Sequence, residues 1–238
     1  MKGHKKQHCS KSVDLVLSDG SHYFGATYND QPSGHGTWTS PTGTTYMGYF
    51  DDGKRQGYGV ERRDDGSSYD GYWHSGLYQG SGKLVLSSGT TYHGAFRLGV
   101  YHGTGFLVNS DGTTYKGQWK QGKMHGLGKY TSEMESYVGR FEYNLRHGVG
   151  SVNTKDGEMY SGTWKHNARH GQGVSTTEEE IYTGNWVRGR RSGHGHCIST
   201  RTGDYEGEWY RNQRHGRGTN RYKDGSSYKG DWKQGQRH

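Results

Sequence analysis

The sequence predicts an all-β fold: an elongated single-sheet solenoid of stacked antiparallel β-hairpins. Three observations predict it. Tyr-x-Gly recurs ten times with a period of 22 or 23 residues. Glycine makes up 43 of the 238 residues, far above its usual share of about 7%. The chain carries 20 Tyr, 7 Trp and 5 Phe although its hydrophobic share is only 27%. So little apolar surface would by itself leave a chain disordered, because chain entropy is not offset. Disordered chains, however, are poor in aromatics. Collagen is excluded, since glycine does not fall at every third residue and proline occurs only twice. Aliphatic residues are too few for one large core, so the aromatics must supply most of the burial.

The elements follow in order. Residues 1–12 carry Lys2, Lys5, Lys6 and Lys11 without an apolar stretch, which reads as a basic flexible arm rather than a secretory signal. No apolar run approaches the roughly 18 residues of a membrane-spanning helix. Residues 13–22 align with the segment that ends at Tyr92, so they form a capping half-repeat made of a second strand alone. Residues 23–238 are the array, nine full repeats and a truncated tenth. Cys9 and Cys197 read as two free thiols in a reducing compartment.

Numbering each repeat from its tyrosine gives position 1 at Tyr23, Tyr46, Tyr69, Tyr92, Tyr115, Tyr137, Tyr160, Tyr182, Tyr205 and Tyr228. Position 3 is always glycine, and position 5 is Trp or Phe except at Thr27. Residues 1, 3 and 5 alternate, so they share one face of a strand. Position 8 is Gly, Asn or Asp throughout, the residues that tolerate positive φ, and marks the first turn. A second strand then carries glycine at positions 12 and 14 and ends at an Asp-Gly turn such as Asp65-Gly66 or Asp224-Gly225. The two 22-residue copies lack that turn's glycine, as in Thr131-Ser132-Glu133-Met134-Glu135, which places the lost residue in the turn. A loss within a strand would reverse every later side chain.

A lone hairpin is marginal in water, whereas stacked hairpins bury their faces against one another. The expected ladder includes Tyr69, Trp73, Tyr115, Trp119, Tyr160, Trp164, Tyr205 and Trp209, with each ring lying over glycines of the neighbouring hairpin. Two strands per repeat at about 4.8 Å each give a rod roughly 90 Å long.

The run from Tyr115 to Gly128, with Gly117, Trp119, Gly122, His125 and Gly126 between, resembles the MORN repeat (membrane occupation and recognition nexus). The resemblance extends from residue 14 to the end. It implies a hairpin solenoid acting as a non-enzymatic scaffold, in settings such as ciliary radial spoke heads, cytoskeletal collars and membrane tethers.

His102, His125, His147, His170, His215 and His238 share position 11, but equivalent positions lie about 9.6 Å apart, too far to share an ion. They are expected to hydrogen-bond a turn, and no metal or cofactor is expected. The Gly-x-Gly pairs lead into strands, not into a helix N-terminus, so they are not phosphate loops. Ser, His and Asp occupy repeating slots with no unique trio, which argues against an enzyme. Arg146, Arg169, Arg191, Arg214 and Arg237 fill position 10 of the last five repeats and predict a basic docking edge beside the first turn. That edge suits an acidic protein surface or anionic lipid headgroups. Nucleic acid is disfavoured because the aromatics are committed to the ladder. Tyr228, Trp232 and His238 belong to a hairpin that stops before its Gly-x-Gly, an edge open to end-to-end homodimerisation. The reading is therefore a scaffold of the cytoplasm and cytoskeleton, set in a ciliary or flagellar axoneme by resemblance. The alternative is a tether for anionic membrane.

Overall fold

The computed structural model describes residues 12–238, and every regular element among them is a strand. The basic arm, apart from Ser12, lies outside the described residues, as does Cys9. The chain divides into two units, one ending at Asp111 and one beginning at Gly112. In the first, β1 (Val13–Val16), β2 (His22–Tyr28), β3 (Gln31–Thr39), β4 (Thr45–Asp51), β5 (Lys54–Arg62), β6 (Ser68–His74), β7 (Leu77–Val85), β8 (Thr91–Arg97) and β9 (Val100–Val108) form an antiparallel meander. The second repeats the pattern with β10 (Thr114–Lys120), β11 (Lys123–Thr131), β12 (Glu135–Glu142), β13 (Leu145–Thr154), β14 (Met159–Lys165) and β15 (Ala168–Thr176). It continues through β16 (Glu180–Val187), β17 (Arg190–Ser199), β18 (Gly203–Tyr210), β19 (Gln213–Arg221), β20 (Ser227–Lys233) and β21 (Gln236–Arg237).

Both turns have a local cause. The first joins paired residues such as Tyr28 and Gln31 across two residues, Asn29 and Asp30, with φ of 48° and 57°. Two left-handed residues make a type I′ turn, whose twist matches that of the strands. Position 8 is left-handed in every copy, as the sequence predicts. Position 7 is left-handed too, even where it is Leu98 (φ 51°), Tyr143 (48°) or Arg188 (50°). The sequence carries no sign of that. Neighbouring first turns are tied by backbone: the Gly76 N–H donates to Arg55 O at 2.9 Å and the Gly189 N–H to Arg169 O at 2.9 Å. Asn at position 8 adds a second tie, since Asn167 Oδ1 accepts from the Arg146 N–H and Asn212 Oδ1 from the Arg191 N–H, both at 2.7 Å.

The second turn is wider than a two-residue Asp-Gly hairpin. Beyond the Arg62–Ser68 pair the Arg63 N–H donates to Ser67 O, leaving Asp64, Asp65 and Gly66 (φ 84°), where the Gly66 N–H donates to Arg63 O and Asp65 Oδ1 accepts from the Ser67 N–H. That is a three-residue loop closed by a left-handed glycine. In the short copies Thr131 pairs with Ser136 and Thr176 with Ile181, one residue tighter. The missing residue falls in the turn, and the register of the flanking strands is kept.

Glycines at positions 3 and 14 form an unbroken row within each unit. In the first it runs from Gly25 through Gly36, Gly48, Gly59, Gly71, Gly82 and Gly94 to Gly105. The row is crowded. A Cβ on Gly117 would stand 2.5 Å from Gly128 Cα, 2.6 Å from Tyr115 Oη and 2.7 Å from Leu127 O. One on Gly128 would stand 2.5 Å from Tyr115 Cε2. Each tyrosine therefore lies over two glycines of its own hairpin, not over its neighbour's. Beyond that pair the ladder bulges: His125, Gly126 and Leu127 face Gln118 alone, with position 12 in the left-handed region (Gly126, φ 64°). The tyrosine hydroxyl donates to the position-4 carbonyl at the bulge: Tyr115 Oη to Gln118 O, and Tyr69 Oη to Tyr72 O, both at 2.9 Å.

Candidate functional site

One face of each unit is built from tyrosine upward. The position-1 tyrosines from Tyr23 to Tyr205 are 0–1% exposed. Burial pushes the hydroxyls of Tyr46, Tyr137, Tyr160, Tyr182 and Tyr205 up to about 12, and those of Tyr69 and Tyr92 higher still. Tyr46, Tyr69, Tyr115, Tyr137, Tyr160, Tyr182 and Tyr205 each meet the position-5 aromatic edge-to-face, on their own repeat and on the next. Tyr160 stands 5.1 Å from Trp164 and 5.4 Å from Trp186, while Tyr205 stands 5.3 Å from Trp209 and 5.2 Å from Trp232. It is the tryptophan that reaches the neighbouring hairpin: Trp73 Nε1 donates to Gly59 O at 3.1 Å and Trp164 Nε1 to Gly150 O at 3.0 Å.

Position 10 covers the tyrosine ring. In the first unit Tyr78 and Tyr101 stack on Tyr69 and Tyr92 with centroids 3.7 and 3.8 Å apart. In the second unit Arg146, Arg169, Arg191 and Arg214 do the same, with Cζ 4.7–4.8 Å from the centroids of Tyr137, Tyr160, Tyr182 and Tyr205. The guanidinium also approaches the next repeat's tryptophan, at 5.3 Å for Arg146 and Trp164 and 5.2 Å for Arg169 and Trp186. These are cation–π contacts in a desolvated setting.

The arginines therefore do not project from the first turn as an open basic row. The two-residue first turn places position 10 opposite position 5, on the tyrosine face, as in the Trp164–Arg169 pair. Arg146 and Arg191 are mostly buried and bridged to Glu135 and Glu180, and Arg169 Nη1 lies 2.5 Å from Glu158 Oε1. The Arg191 hydrogen bond holds the Glu180 carboxyl below its ordinary value. Arg55, the one position-10 arginine of the first unit, is bridged to Glu61 at 2.5 Å. Sequence reading missed these acids, although Glu135, Glu158 and Glu180 each stand two residues before a tyrosine in a repeat whose position 10 is Arg. Arg237 is exposed, with Cζ 5.6 Å from the Tyr228 ring.

Two of the cavities in the second unit bear on these residues. The first, of about 680 Å³, opens on the tyrosine face and is lined by Arg169, Arg191, Arg214, Glu158, Glu180 and Trp209, among others. Cys197 sits in it as a buried thiol, pushed up to about 11 mainly by burial and then by Glu180. The second, of about 910 Å³, lies along the first turns and is lined by Lys165, His166, His170, Arg188, Arg190 and Arg211, with no carboxylate among its lining residues. The basic patch at the first turns is thus built from positions 6, 7 and 9.

The remaining expected residues are placed as follows. Trp232 is 4% exposed, with Nε1 3.3 Å from Gly218 O, so it belongs to the ladder and is not open for an end contact. Tyr228 is half-buried, and its hydroxyl lies 3.3 Å from His238 O. The expected histidine-to-turn hydrogen bond is made by glutamine instead. Gln56 Oε1 accepts from the Ser75 N–H at 2.9 Å and Gln79 Oε1 from the Leu98 N–H at 3.1 Å. Nδ1 of His125 and of His147 is buried without a hydrogen-bond partner; His147 Nδ1 is 3.3 Å from Glu142 Oε2 but lacks hydrogen-bonding geometry. Among the described residues no group of three or more His, Cys, Asp or Glu is placed to hold a metal ion.

Among solved structures, the chain is similar to the TCP10 domain of Danio rerio CPAP in complex with a peptide of Danio rerio STIL, at 9% identity and a TM-score of 0.39, covering 93% of this chain and 100% of that one. It is also similar to the SAS-4 (dCPAP) TCP domain of Drosophila melanogaster in complex with a proline-rich motif of Ana2, at 8% identity and a TM-score of 0.36, covering 75% and 91%. A streptogramin B lyase matches at 14% identity and a TM-score of 0.17, covering 92% and 76%. Likenesses this slight carry no functional argument. No curated protein matches the sequence. The MORN repeat model, by contrast, matches ten times in succession, from residues 23–45 to residues 228–238. With the repeat, the glycine row and the tyrosine ladder in the same register, the chain belongs to the MORN repeat family.

Proposed function

We propose that this chain is a non-enzymatic structural scaffold whose partner protein lies along the tyrosine-face groove of the second unit. The observation that carries this reading is the groove's lining. Arg169 and Arg191 alternate with Glu158 and Glu180 over buried tryptophans, a mixed-charge surface with aromatic anchors. Such surfaces select a polypeptide by electrostatic complementarity. The proposed setting is a cytoskeletal assembly, in particular a ciliary or flagellar axoneme and a radial-spoke-head-like position; this rests on family resemblance. Affinity purification or proximity labelling from cells tests it, comparing wild type with the charge-swapped pair Glu158→Arg with Arg169→Glu. The swap keeps the ion pair and reverses the pattern. Partners recovered equally by both proteins count against the groove.

A second reading is favoured by the cavity along the first turns. Lys165, Arg188, Arg190 and Arg211 form a basic patch suited to anionic lipid headgroups, as in a membrane tether. Cosedimentation with liposomes tests it. Salt-sensitive binding that needs phosphoinositide and is lost in the triple Arg188, Arg190 and Arg211→Glu variant supports the tether. Homodimerisation is proposed for the outer edge of β20, where only Trp232 and Lys233 are paired by β21. Light scattering at micromolar concentration decides that point.

A further inference from the structure

Apart from the exposed Arg237, each position-10 arginine that sits among aromatic rings brings a counter-charge, with one exception. Arg55 lies over Trp38, Tyr46 and Trp73 and is bridged to Glu61, which stands opposite Tyr46 in the ladder. Arg146, Arg169 and Arg191 are bridged to Glu135, Glu158 and Glu180, each two residues before its tyrosine. The acid thus comes from one of two slots. In the ninth repeat both slots are neutral: Gly203 stands two residues before Tyr205, and Asn220 stands opposite it.

Arg214 nevertheless occupies the same kind of cage. Its Cζ is 4.8 Å from the Tyr205 ring and 5.1 Å from the Trp232 ring. Among the described residues no carboxylate bridges it, and its one side-chain hydrogen bond is to Thr202 Oγ1 at 2.7 Å. A guanidinium has five N–H donors, and desolvating an unpaired cation is costly. The slot beside it is under-satisfied as well. Asn220 is fully buried, its Nδ2 donates to Thr202 O at 3.1 Å, and its Oδ1 has no partner. Glu180, which also feels the Arg214 charge, is already engaged by Arg191 and by Cys197 Sγ. Arg214 and Thr202 both line the cavity of about 680 Å³, so a ligand can reach them from the groove.

We infer that Arg214 is the docking point for a carboxylate supplied in trans, an Asp or Glu side chain of an acidic segment on another protein. This rests on the groove reading above and names the chemistry the groove selects. A single carboxylate fits better than a phosphate dianion. The sister cages are each closed by one Glu, and Glu180 beside the slot would repel a second negative charge.

The test uses the full chain and a fluorescein-labelled deca-glutamate peptide, with deca-glutamine as control, read by fluorescence polarisation. Wild type binds the glutamate peptide and not the glutamine one. Arg214→Gln weakens that binding about tenfold or more, the loss expected for a charged hydrogen-bonded pair. Asn220→Glu keeps Arg214 in its cage but installs an acid in the slot that Glu61 uses. It weakens binding as much and raises the melting temperature. Arg217→Gln, an exposed arginine on the same strand, changes binding less than twofold. Equal binding by wild type, Arg214→Gln and Asn220→Glu overturns the inference. So does Arg214-dependent binding of phosphoinositide vesicles with none of the glutamate peptide. If the Glu158/Arg169 charge swap abolishes partner recovery from cells while Arg214→Gln leaves it intact, the groove reading stands and this one fails.

Discussion

Gly128→Ala perturbs the ladder at one methyl group. Gly128 is not in the left-handed region, so the backbone tolerates alanine and only space is at issue. The new Cβ would stand 2.5 Å from Tyr115 Cε2 and 2.6 Å from Cζ. The ring cannot slide along the sheet, because Trp119 and Phe141 hold it edge-on at 4.9 and 5.2 Å. It must lift out. An aromatic side chain buries roughly 150–250 Å², and at about 25 cal/mol per Å² losing that contact costs about 4–6 kcal/mol as an upper figure. The hydrogen bond to Gln118 O adds about 1 kcal/mol. The control is Gly112→Ala, where a Cβ meets nothing within 4 Å but φ is 82°; left-handed alanine costs about 1–2 kcal/mol. Urea unfolding followed by tryptophan fluorescence compares the two, and hydrogen exchange over residues 114–131 shows where the loss falls. In a Tyr115→Ala background the added cost of Gly128→Ala drops to about 1 kcal/mol or less, because the ring it strikes is gone. If Gly128→Ala alone is no worse than Gly112→Ala, the ring-over-glycine account is wrong.

Leu98 is 67% exposed and left-handed at φ 51°, so Leu98→Asn is expected to stabilise by about 1 kcal/mol, a rise of a few degrees in melting temperature; no rise refutes strain at position 7. The ladder tyrosines, held at about 12 against an ordinary 10, keep their protons longer in the folded chain than in the unfolded one. Their contribution is complete below pH 10 and falls away between pH 10 and 12. Tyrosinate absorbance should therefore reach its final value only with loss of the native tryptophan fluorescence, and completion of the titration of all 20 tyrosines near pH 10 with the fold intact contradicts it. Glu180 is shifted the other way, below its ordinary 4.5. Its contribution is present above that value and lost as pH falls below it, so Glu180→Gln flattens the acid side of the urea-midpoint profile.

Much of the fold was legible because the repeat states its constraints openly. Alternation at Tyr115, Gly117 and Trp119 gives a strand and a face, and Gly, Asn or Asp at position 8 gives a left-handed turn. The bulge was not legible. It takes up two extra residues of the second strand, where His170, Gly171 and Gln172 face Thr163 alone, and so decides which glycine Gly162 meets; Arg169, which stands opposite Trp164, reads in the sequence as a turn edge instead. Position 7 was silent for a different reason, since Leu98 and Arg188 are held left-handed by the turn and not by their own preference. The missing acid at Arg214 was in the sequence all along. It is visible only once Arg and the glutamate two residues before the tyrosine are known to meet.

The division between constant and variable positions follows from how many neighbours each residue must satisfy. Gly128 pairs with Gly117 on one side and Gly139 on the other while lying under Tyr115, so any side chain there offends three elements. Position 10 answers to fewer. It must cover a tyrosine face, and Tyr78 at 3.7 Å does that as well as Arg191 at 4.7 Å. A flat group of either kind keeps the ladder closed, so the choice between a neutral ring and a cation is free of folding demands. The same holds for the slot opposite the tyrosine, filled by Glu61, Val152, Cys197 and Asn220 in different repeats without a change of register. Charge along the groove is therefore set repeat by repeat on an unchanging frame. An arginine kept in its cage without an acid is informative for that reason: the frame would accept Tyr there, as it does at Tyr78.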